Sequence, residues 1–235
     1  MMHKINKLFC LSSLSVILVT IERFSFTTKI LLQPYDFLRL HELFQMTVLI
    51  LLTVIIPFLL LKEVTQNFET IKTKKGFWLI LVFVVGIYFY ATGNGLHEVS
   101  SFNLNNFCDT EMFTGKLCNS FFINDYYTGN ILYFIGGTLM VVTLMLLEKL
   151  KPNTTYRKKD VLVSVVNAVI YAFAIFAYAA FDVVLVGMVY SAVLMFVSLY
   201  LFWTVRKDYL KYPVITYTML TYTIGTIAAL IVRFH

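Results

Sequence analysis

The tripeptide Leu-His-Glu occurs twice in the chain, at residues 40–42 and 96–98. The first copy directly precedes an apolar run at 43–61, and the second follows an apolar run at 77–91. If both runs cross a membrane as antiparallel helices, the two tripeptides come to the same membrane face. They would supply an imidazole and a carboxylate twice at one water–lipid boundary, and these are the groups that bind metal ions and transfer protons.

Two imidazoles with nearby carboxylates suit Zn²⁺ or a similar divalent ion, with one position left open for water. Four side chains are the predicted ligands: His41, His97, Asp125 and Asp182. The predicted catalytic residues are Glu98 or Glu42, as the general base acting on bound water, together with Asp125. The alternative is a solvated rim without chemistry, because the spacing contains no His-Glu-x-x-His motif.

The composition of the chain indicates a membrane protein. Of the 235 residues, 59% are hydrophobic and only 14% are charged, whereas a soluble domain has about 25% charged residues. The apolar runs are continuous and near the ~20 residues that a membrane helix needs, which excludes the alternation of a β-barrel. The net charge of +6 therefore indicates membrane topology, and we expect no nucleic-acid partner.

We predict an all-α fold with one domain over residues 1–235, a bundle of seven transmembrane helices. The predicted spans are 8–26, 43–61, 77–92, 127–147, 161–180, 183–205 and 213–232. The first span is expected to be retained, because no small-x-small cleavage site follows it. Residues 93–126 are predicted to form a long loop, with Asn94 between two glycines unwinding the end of the third span.

The basic residues predict the orientation of the seven spans. Fourteen of the 19 lysines and arginines would lie on the side of the N-terminus: Lys4, Lys7, Lys62, Lys72, Lys74, Lys75, Lys149, Lys151, Arg157, Lys158, Lys159, Arg206, Lys207 and Lys211. Because basic residues collect in cytoplasmic loops, this bias predicts a cytoplasmic N-terminus and an outside C-terminus. The plasma membrane, or a bacterial inner membrane, is the expected location.

Polar residues recur on one face of the fifth span, from Ser164 to Asp182. Six side chains are predicted to line a substrate path or mouth: Asn94, Tyr126, Tyr127, Asn167, Tyr171 and Tyr178. The alternative is hydrogen bonding between helices, which is common for such residues in membranes and contributes only ~0.6 to 2 kcal/mol each.

The three cysteines divide into two groups. Cys108 and Cys118 are ten residues apart in the predicted outer loop, where an oxidising compartment permits a disulfide. We expect a structural bridge, because the Cys-x-x-Cys motif of thiol-exchange enzymes is missing. Cys10 lies in the first span and is expected to be inert.

Three functions fit these patterns. The first is a metal-dependent membrane hydrolase or transferase that acts on a lipid or lipid-linked substrate from the outer face. The second is a small transporter or channel with a polar path along the fifth span and Asp182 as a coupled group. The third is a scaffold or assembly factor. The lipid bilayer is the expected partner in each case, and the sequence does not predict an oligomeric state.

Overall fold

The computed structural model describes residues 3–109 and 115–235. This described part is helical and contains no β-strand, only one isolated bridge between Leu31 and Arg39. Seven of its helical segments are long and apolar enough to cross a membrane. The prediction of an all-α membrane protein with seven spans is confirmed at this level.

Nine α-helices make up these segments in the described part of the chain. Their bounds are α1 (Lys4–Glu22), α2 (Leu40–Phe44), α3 (Ile50–Val64), α4 (Lys74–Phe107), α5 (Lys116–Ile123), α6 (Asn130–Leu150), α7 (Lys158–Phe181), α8 (Val186–Val205) and α9 (Pro213–Phe234). Two π-helical segments, Gln45–Leu49 and Asn124–Gly129, join α2 to α3 and α5 to α6. We call the end of the bundle that carries His41 and His97 the histidine end, and the end that carries Lys74 and Lys151 the lysine end.

The bundle exposes apolar side chains and buries polar ones. Phe173, Phe196 and Trp203 each expose more than two thirds of their surface, although they lie within long helices. Ser191, Ser198 and several threonines are buried instead. An apolar surface of this extent is unfavourable in water but suits a lipid bilayer.

The predicted loop over 93–126 is wrong for most of its length. Helix α4 continues without interruption through Asn94 to Phe107, and α5 with the following π-helical segment covers Lys116–Gly129. No proline occurs between Pro57 and Pro152, so nothing in this stretch stops a helix sterically. At ~1.5 Å per residue, α4 is about 51 Å long and exceeds the ~30 Å apolar core of a bilayer. Its polar second half therefore extends beyond the membrane as a helix.

Four glycines bring α4 and α6 into backbone contact. A Cβ at Gly93 would overlap the Tyr133 nitrogen and lie 2.6 Å from the carbonyl oxygen of Gly129. A Cβ at Gly136 would overlap the Tyr90 nitrogen and lie 2.5 Å from the carbonyl oxygen of Gly86. Both pairs, Gly86 with Gly93 and Gly129 with Gly136, are seven residues apart, two helical turns. Small residues at this spacing allow helices to approach closely in membranes.

Polar groups fasten α1 to α7 near the lysine end. The Tyr156 hydroxyl donates to Asn6 Oδ1 at 2.7 Å, and Asn6 Nδ2 donates to the Asp160 carbonyl at 2.9 Å. The Ser13 hydroxyl donates to the Asn167 carbonyl at 3.3 Å. Part of the polar face of the fifth span thus forms interhelical hydrogen bonds.

Candidate functional site

The two Leu-His-Glu tripeptides both lie at the histidine end, on α2 and α4. Their glutamates are buried, with Glu42 1% exposed and Glu98 5% exposed. Asp125, in the π-helical segment before α6, is 3% exposed. Ionisable groups buried to this extent need charged or hydrogen-bonded partners. Glu42 has hydrogen-bonded partners and Asp125 has an ion-pair partner in the structure.

His97 is held by Asp125. Its Nδ1 lies 2.7 Å from Asp125 Oδ1, an ion-pair distance without the alignment of a hydrogen bond. The same Nδ1 also forms a hydrogen bond with the Asp125 backbone carbonyl at 3.2 Å. A carbonyl oxygen can only accept, so Nδ1 carries the proton and the lone pair of the neutral ring is on Nε2. His97 thereby presents Nε2 as a base or as a ligand.

His41 is held in the same way by Glu22, at the end of α1. Its Nδ1 lies 2.5 Å from Glu22 Oε2. The Glu22 carboxylate also accepts a hydrogen bond from Gln45 Nε2 at 2.9 Å and another from Thr27 Oγ1 at 2.5 Å. The two histidines therefore repeat one arrangement, a carboxylate on Nδ1. Within the described residues, neither Nε2 has a hydrogen-bond partner.

The sequence prediction placed Glu22 and its neighbour Arg23 inside the first span, 8–26, and gave them no role in the site. The signal was present, because an acidic and a basic residue directly follow an apolar run, and ionisable groups at the edge of a membrane span are often functional.

Glu98 is buried at the same end of the bundle as the two histidine pairs. The charges of His97, Arg23, His41 and Glu42 act on its carboxylate, although no hydrogen bond or ion pair joins Glu98 to them among the described residues. These four groups come from three segments, the end of α1, the helix α2 and α4 itself. Both predicted histidines and Glu42 therefore lie at the same end as Glu98.

Glu42 is engaged differently from Glu98. Its Oε2 accepts a hydrogen bond from the backbone nitrogen of Arg39 at 3.1 Å, and its Oε1 accepts from Arg39 Nε at 2.8 Å and from Nη2. The carboxylate caps the first turn of α2 and neutralises the guanidinium. These contacts leave Glu42 less available as a general base.

Arg23 directly follows α1 at the histidine end. The side chain is exposed to solvent, and the groups that act on its charge come from three other helices, Tyr178 of α7, Glu98 of α4 and Tyr133 of α6. Arg23 therefore places an accessible positive charge at the same end as the two histidines.

Both π-helical segments carry residues of the site. Gln45, which donates to Glu22, begins one of them, and Asp125, which holds His97, is the second residue of the other. An extra residue in a helical turn re-aims side chains, and such bulges occur frequently at functional sites. A Cβ at Gly129 would lie only 2.8 Å from the His97 backbone nitrogen. This close contact fixes the distance between α4 and the Asp125 turn.

Asp182 and Asn94 lie at the edge of this cluster. Asp182 follows α7 and interacts electrostatically with His97 and Arg233. Burial raises the pKa of Asp182, since one of its oxygens is buried with no hydrogen-bond partner in the described part of the chain. The buried Oδ1 of Asn94 also has no such partner there. Both side chains therefore offer unused polar atoms next to the histidines.

The predicted lining residues separate into two groups. Tyr178 interacts with Glu98 and Asp182, and Tyr126 with Asp125 and Asp182, so both adjoin the cluster. Tyr127 is half-exposed beside them, with its ring 6.2 Å from that of Phe122. Two others lie deeper in the bundle, where Asn167 donates to the Val163 carbonyl and Tyr171 meets the ring of Tyr217.

The sulfurs of Cys108 and Cys118 lie at disulfide distance, with their Cα atoms 5.7 Å apart. The pair joins the end of α4 to the start of α5. It therefore closes the helical hairpin that carries His97 on one arm and leads to Asp125 on the other. Cys10 is a free cysteine of α1.

Among the described residues, no three His, Cys, Asp or Glu side chains are grouped as ligands of one metal ion. The zinc site expected at His41, His97, Asp125 and Asp182 stays a prediction. A carboxylate on the second ring nitrogen is the usual support of a metal-binding histidine, and it is equally the support of a histidine base.

Fold and cluster together define a class: a polytopic α-helical membrane protein with a buried ionisable cluster at one end. No protein-family model, curated protein or solved structure matches the chain.

Proposed function

We propose that the chain is a membrane enzyme whose histidine end performs acid–base chemistry on a lipid or lipid-linked substrate. One observation carries this proposal: at the same end of the bundle, the Nδ1 atoms of two imidazoles each lie within ion-pair distance of a buried carboxylate, His41 with Glu22 and His97 with Asp125. The charges of both imidazoles also act on the buried Glu98. Groups arranged in this way can accept and return a proton without rearrangement, as acid–base catalysis requires.

The residues have different roles in this proposal. The Nε2 atom of His97 or His41 takes a proton from water or from a substrate hydroxyl, and Glu98 stabilises the resulting imidazolium. Arg23, exposed at the histidine end, stabilises negative charge that develops on an acyl or phosphoryl oxygen. The reaction class that uses these parts is hydrolysis or group transfer.

A lipid substrate is supported by the residues that follow Arg23. Phe24 and Phe26 expose 87% and 71% of their surface. Aromatic residues of this kind concentrate where hydrocarbon meets water. A substrate whose polar group reaches the cluster can leave its chains in the bilayer.

A divalent ion bound by the two Nε2 atoms is part of the proposal as an alternative source of an activated water. Metal analysis of purified wild type and His97→Ala separates the two versions. Metal that co-purifies with wild type and is lost from His97→Ala supports the ion. Activity that survives chelation supports acid–base chemistry by side chains alone.

We also propose that the lysine end faces the cytosol, in a plasma membrane or a bacterial inner membrane. The excess of basic residues at that end supports this orientation. So does the Cys108–Cys118 pair near the opposite end, because disulfides persist outside the cytosol.

The test reconstitutes purified protein into vesicles made from a total lipid extract and follows the lipids by mass spectrometry. A lipid product should form with wild type and decrease at least about 100-fold with Glu98→Gln. The matched control is Asp208→Asn, which removes an exposed carboxylate at the lysine end and should leave the product unchanged.

If no lipid changes in a Glu98-dependent way, the enzyme proposal is wrong. Solute uptake into the same vesicles that depends on Asp182 but not on His97 would instead favour transport. If a variant with both Asp182 and His97 replaced retained its function in cells, a scaffold would be favoured.

A further inference from the structure

A second concave site lies at the lysine end, far along α4 from the histidines. The cavity has a volume of about 670 Å³ and lies between the turn before α4, the first turn of α4 and the end of α6. Eight residues line it: Glu69, Thr70, Lys72, Thr73, Lys74, Lys75, Leu150 and Lys151. Nothing in the proposed chemistry uses these residues.

The cavity carries a strong positive charge. Lys151 Nζ pairs with Glu69 Oε2 at 2.8 Å, which neutralises the one acidic group of the lining. Within the described residues, Lys72, Lys74 and Lys75 take part in no ion pair. Three uncompensated ammonium groups around one concave space attract an anion.

Backbone donors add to this charge. Thr73 caps α4, since its Oγ1 accepts a hydrogen bond from the Gly76 nitrogen at 3.0 Å. The N–H groups of Lys74 and Lys75, in the same first turn, have no partner inside the helix. An anion at the start of α4 would meet these donors and the positive end of the helix dipole, an arrangement that suits phosphate oxygens.

The wall of the cavity is closely packed against the helix. A Cβ at Gly76 would overlap the Thr70 carbonyl, so the turn over Glu69–Lys72 lies directly on the α4 backbone. The Thr73 hydroxyl also donates to the Thr70 carbonyl at 2.9 Å. These contacts hold Lys72 beside the other two lysines without help from a ligand.

The position of the cavity along α4 identifies the source of the anion. Phe77 and Trp78 follow the lysines at once and expose 52% and 55% of their surface. Exposed aromatic residues at the start of a membrane span lie at the level of the lipid headgroups. We infer that this cavity binds the phosphate headgroup of an anionic membrane lipid.

The test titrates the purified full-length protein in neutral detergent with a fluorescent phosphatidylglycerol and, separately, with the matching phosphatidylcholine. Wild type should prefer phosphatidylglycerol. The triple variant Lys72→Gln/Lys74→Gln/Lys75→Gln should weaken phosphatidylglycerol binding at least about tenfold, because each lysine near a lipid surface contributes on the order of 1 kcal/mol. Its binding of phosphatidylcholine should not change.

The control triple is Lys158→Gln/Lys159→Gln/Lys207→Gln, which removes the same charge from exposed positions at the same end but outside the cavity. It should change phosphatidylglycerol binding less than about twofold. Equal losses in the two triples would overturn the inference, since diffuse charge would then explain the binding.

A competition experiment with inorganic phosphate completes the test. If phosphate displaces phosphatidylglycerol at the concentrations at which phosphatidylglycerol binds, the ligand is free phosphate and the lipid inference is wrong. Circular dichroism verifies folding of both triples, and the single variant Lys74→Gln replaces the first triple if that protein does not fold. A single variant that binds phosphatidylglycerol like wild type would count against the site.

Discussion

His97 Nδ1 lies 2.7 Å from Asp125 Oδ1 and 3.2 Å from the carbonyl oxygen of the same residue. Two acceptors on one ring nitrogen fix both the orientation of the imidazole and the position of its proton. The same turn that supplies these acceptors is π-helical and packs through Gly129 on the His97 backbone. Local geometry and helix packing therefore position this ring together.

The first prediction concerns the tautomer of His97. Because Nδ1 donates to Asp125, we expect the neutral ring to carry its proton on Nδ1, whereas a solvated histidine favours Nε2. Nitrogen chemical shifts of histidine-labelled protein measure this directly, with His97→Gln to assign the signal. The exposed His235 serves as the reference for a solvated ring. An Nε2–H tautomer at His97 would contradict the arrangement.

The second prediction compares two neighbouring glycines. A Cβ at Gly93 would overlap α6, whereas a Cβ at Gly95 meets nothing within 4 Å. Gly93→Ala should therefore destabilise the protein by about 1–3 kcal/mol through forced separation of α4 and α6. Gly95→Ala should be neutral or stabilising by up to about 1 kcal/mol, because alanine favours helix. Unfolding in mixed micelles with increasing sodium dodecyl sulfate measures both.

If the two variants were equally stable, the close approach of α4 and α6 would not hold. The tautomer of His97 provides a further measurement. In Gly93→Ala the separation of α4 and α6 moves the His97 ring away from Asp125, so the Nδ1–H signal of His97 should weaken. Gly95→Ala should keep this signal.

The seven spans could be predicted from the sequence because apolar runs in a bilayer leave the backbone few choices besides helix. The continuation of α4 beyond Ala91 could not be predicted, because the polar residues after Ala91 were interpreted as a loop. Polar side chains indicate that a segment contacts water, but they do not prevent the backbone hydrogen bonds of a helix. The glycines on both sides of Asn94 suggested an unwound helix end. In the structure, Gly93 instead lies where a side chain would collide with the backbone of α6.

The site was predictable in part for a similar reason. His41, His97 and Asp125 are uncommon residue types at the edge of apolar runs, so their gathering at one end followed from the alternation of the helices. Their pairing did not follow, because it depends on the π-helical turns at Gln45 and Asp125. An extra residue in a turn changes which side chain faces inward, and no pattern in the sequence predicts where these π-helical turns occur.

The third prediction concerns Asp182, whose pKa is raised by burial above the ordinary value of 3.8. The groups that face it are His97, Arg233, Tyr126 and Tyr178. Because the folded protein holds the proton more tightly than the unfolded chain, this carboxyl contributes stability at low pH. That contribution is lost as the pH rises through the raised pKa.

Asp182→Asn imitates the protonated form at every pH. We expect its melting temperature to equal that of wild type near pH 3.5 and to exceed it increasingly as the pH rises toward neutrality. Asp208→Asn removes an exposed carboxylate at the other end, paired with Lys211, and controls for the general loss of a negative charge. A gap between Asp182→Asn and wild type that shrinks with rising pH would contradict the assignment.

The last prediction concerns Glu148, which is 1% exposed at the end of α6. Its Oε1 accepts a hydrogen bond from the Val214 nitrogen and its Oε2 from the Ile215 nitrogen, both at 2.9 Å. Pro213, at the first position of α9, has no N–H to offer. One carboxylate thus satisfies the free donors of the first turn of α9 and fastens α9 to α6.

Removing both acceptors leaves two buried N–H groups unpaired, so Glu148→Ala should destabilise the protein by at least about 2 kcal/mol. Glu148→Gln keeps one acceptor oxygen and should lie between wild type and alanine. Unfolding in mixed micelles measures the order, with Glu69→Ala as the exposed control at the same end. If Glu148→Ala were as stable as Glu69→Ala, the two hydrogen bonds from the start of α9 to Glu148 would contribute no net stability. Apolar packing would then hold α9 against α6.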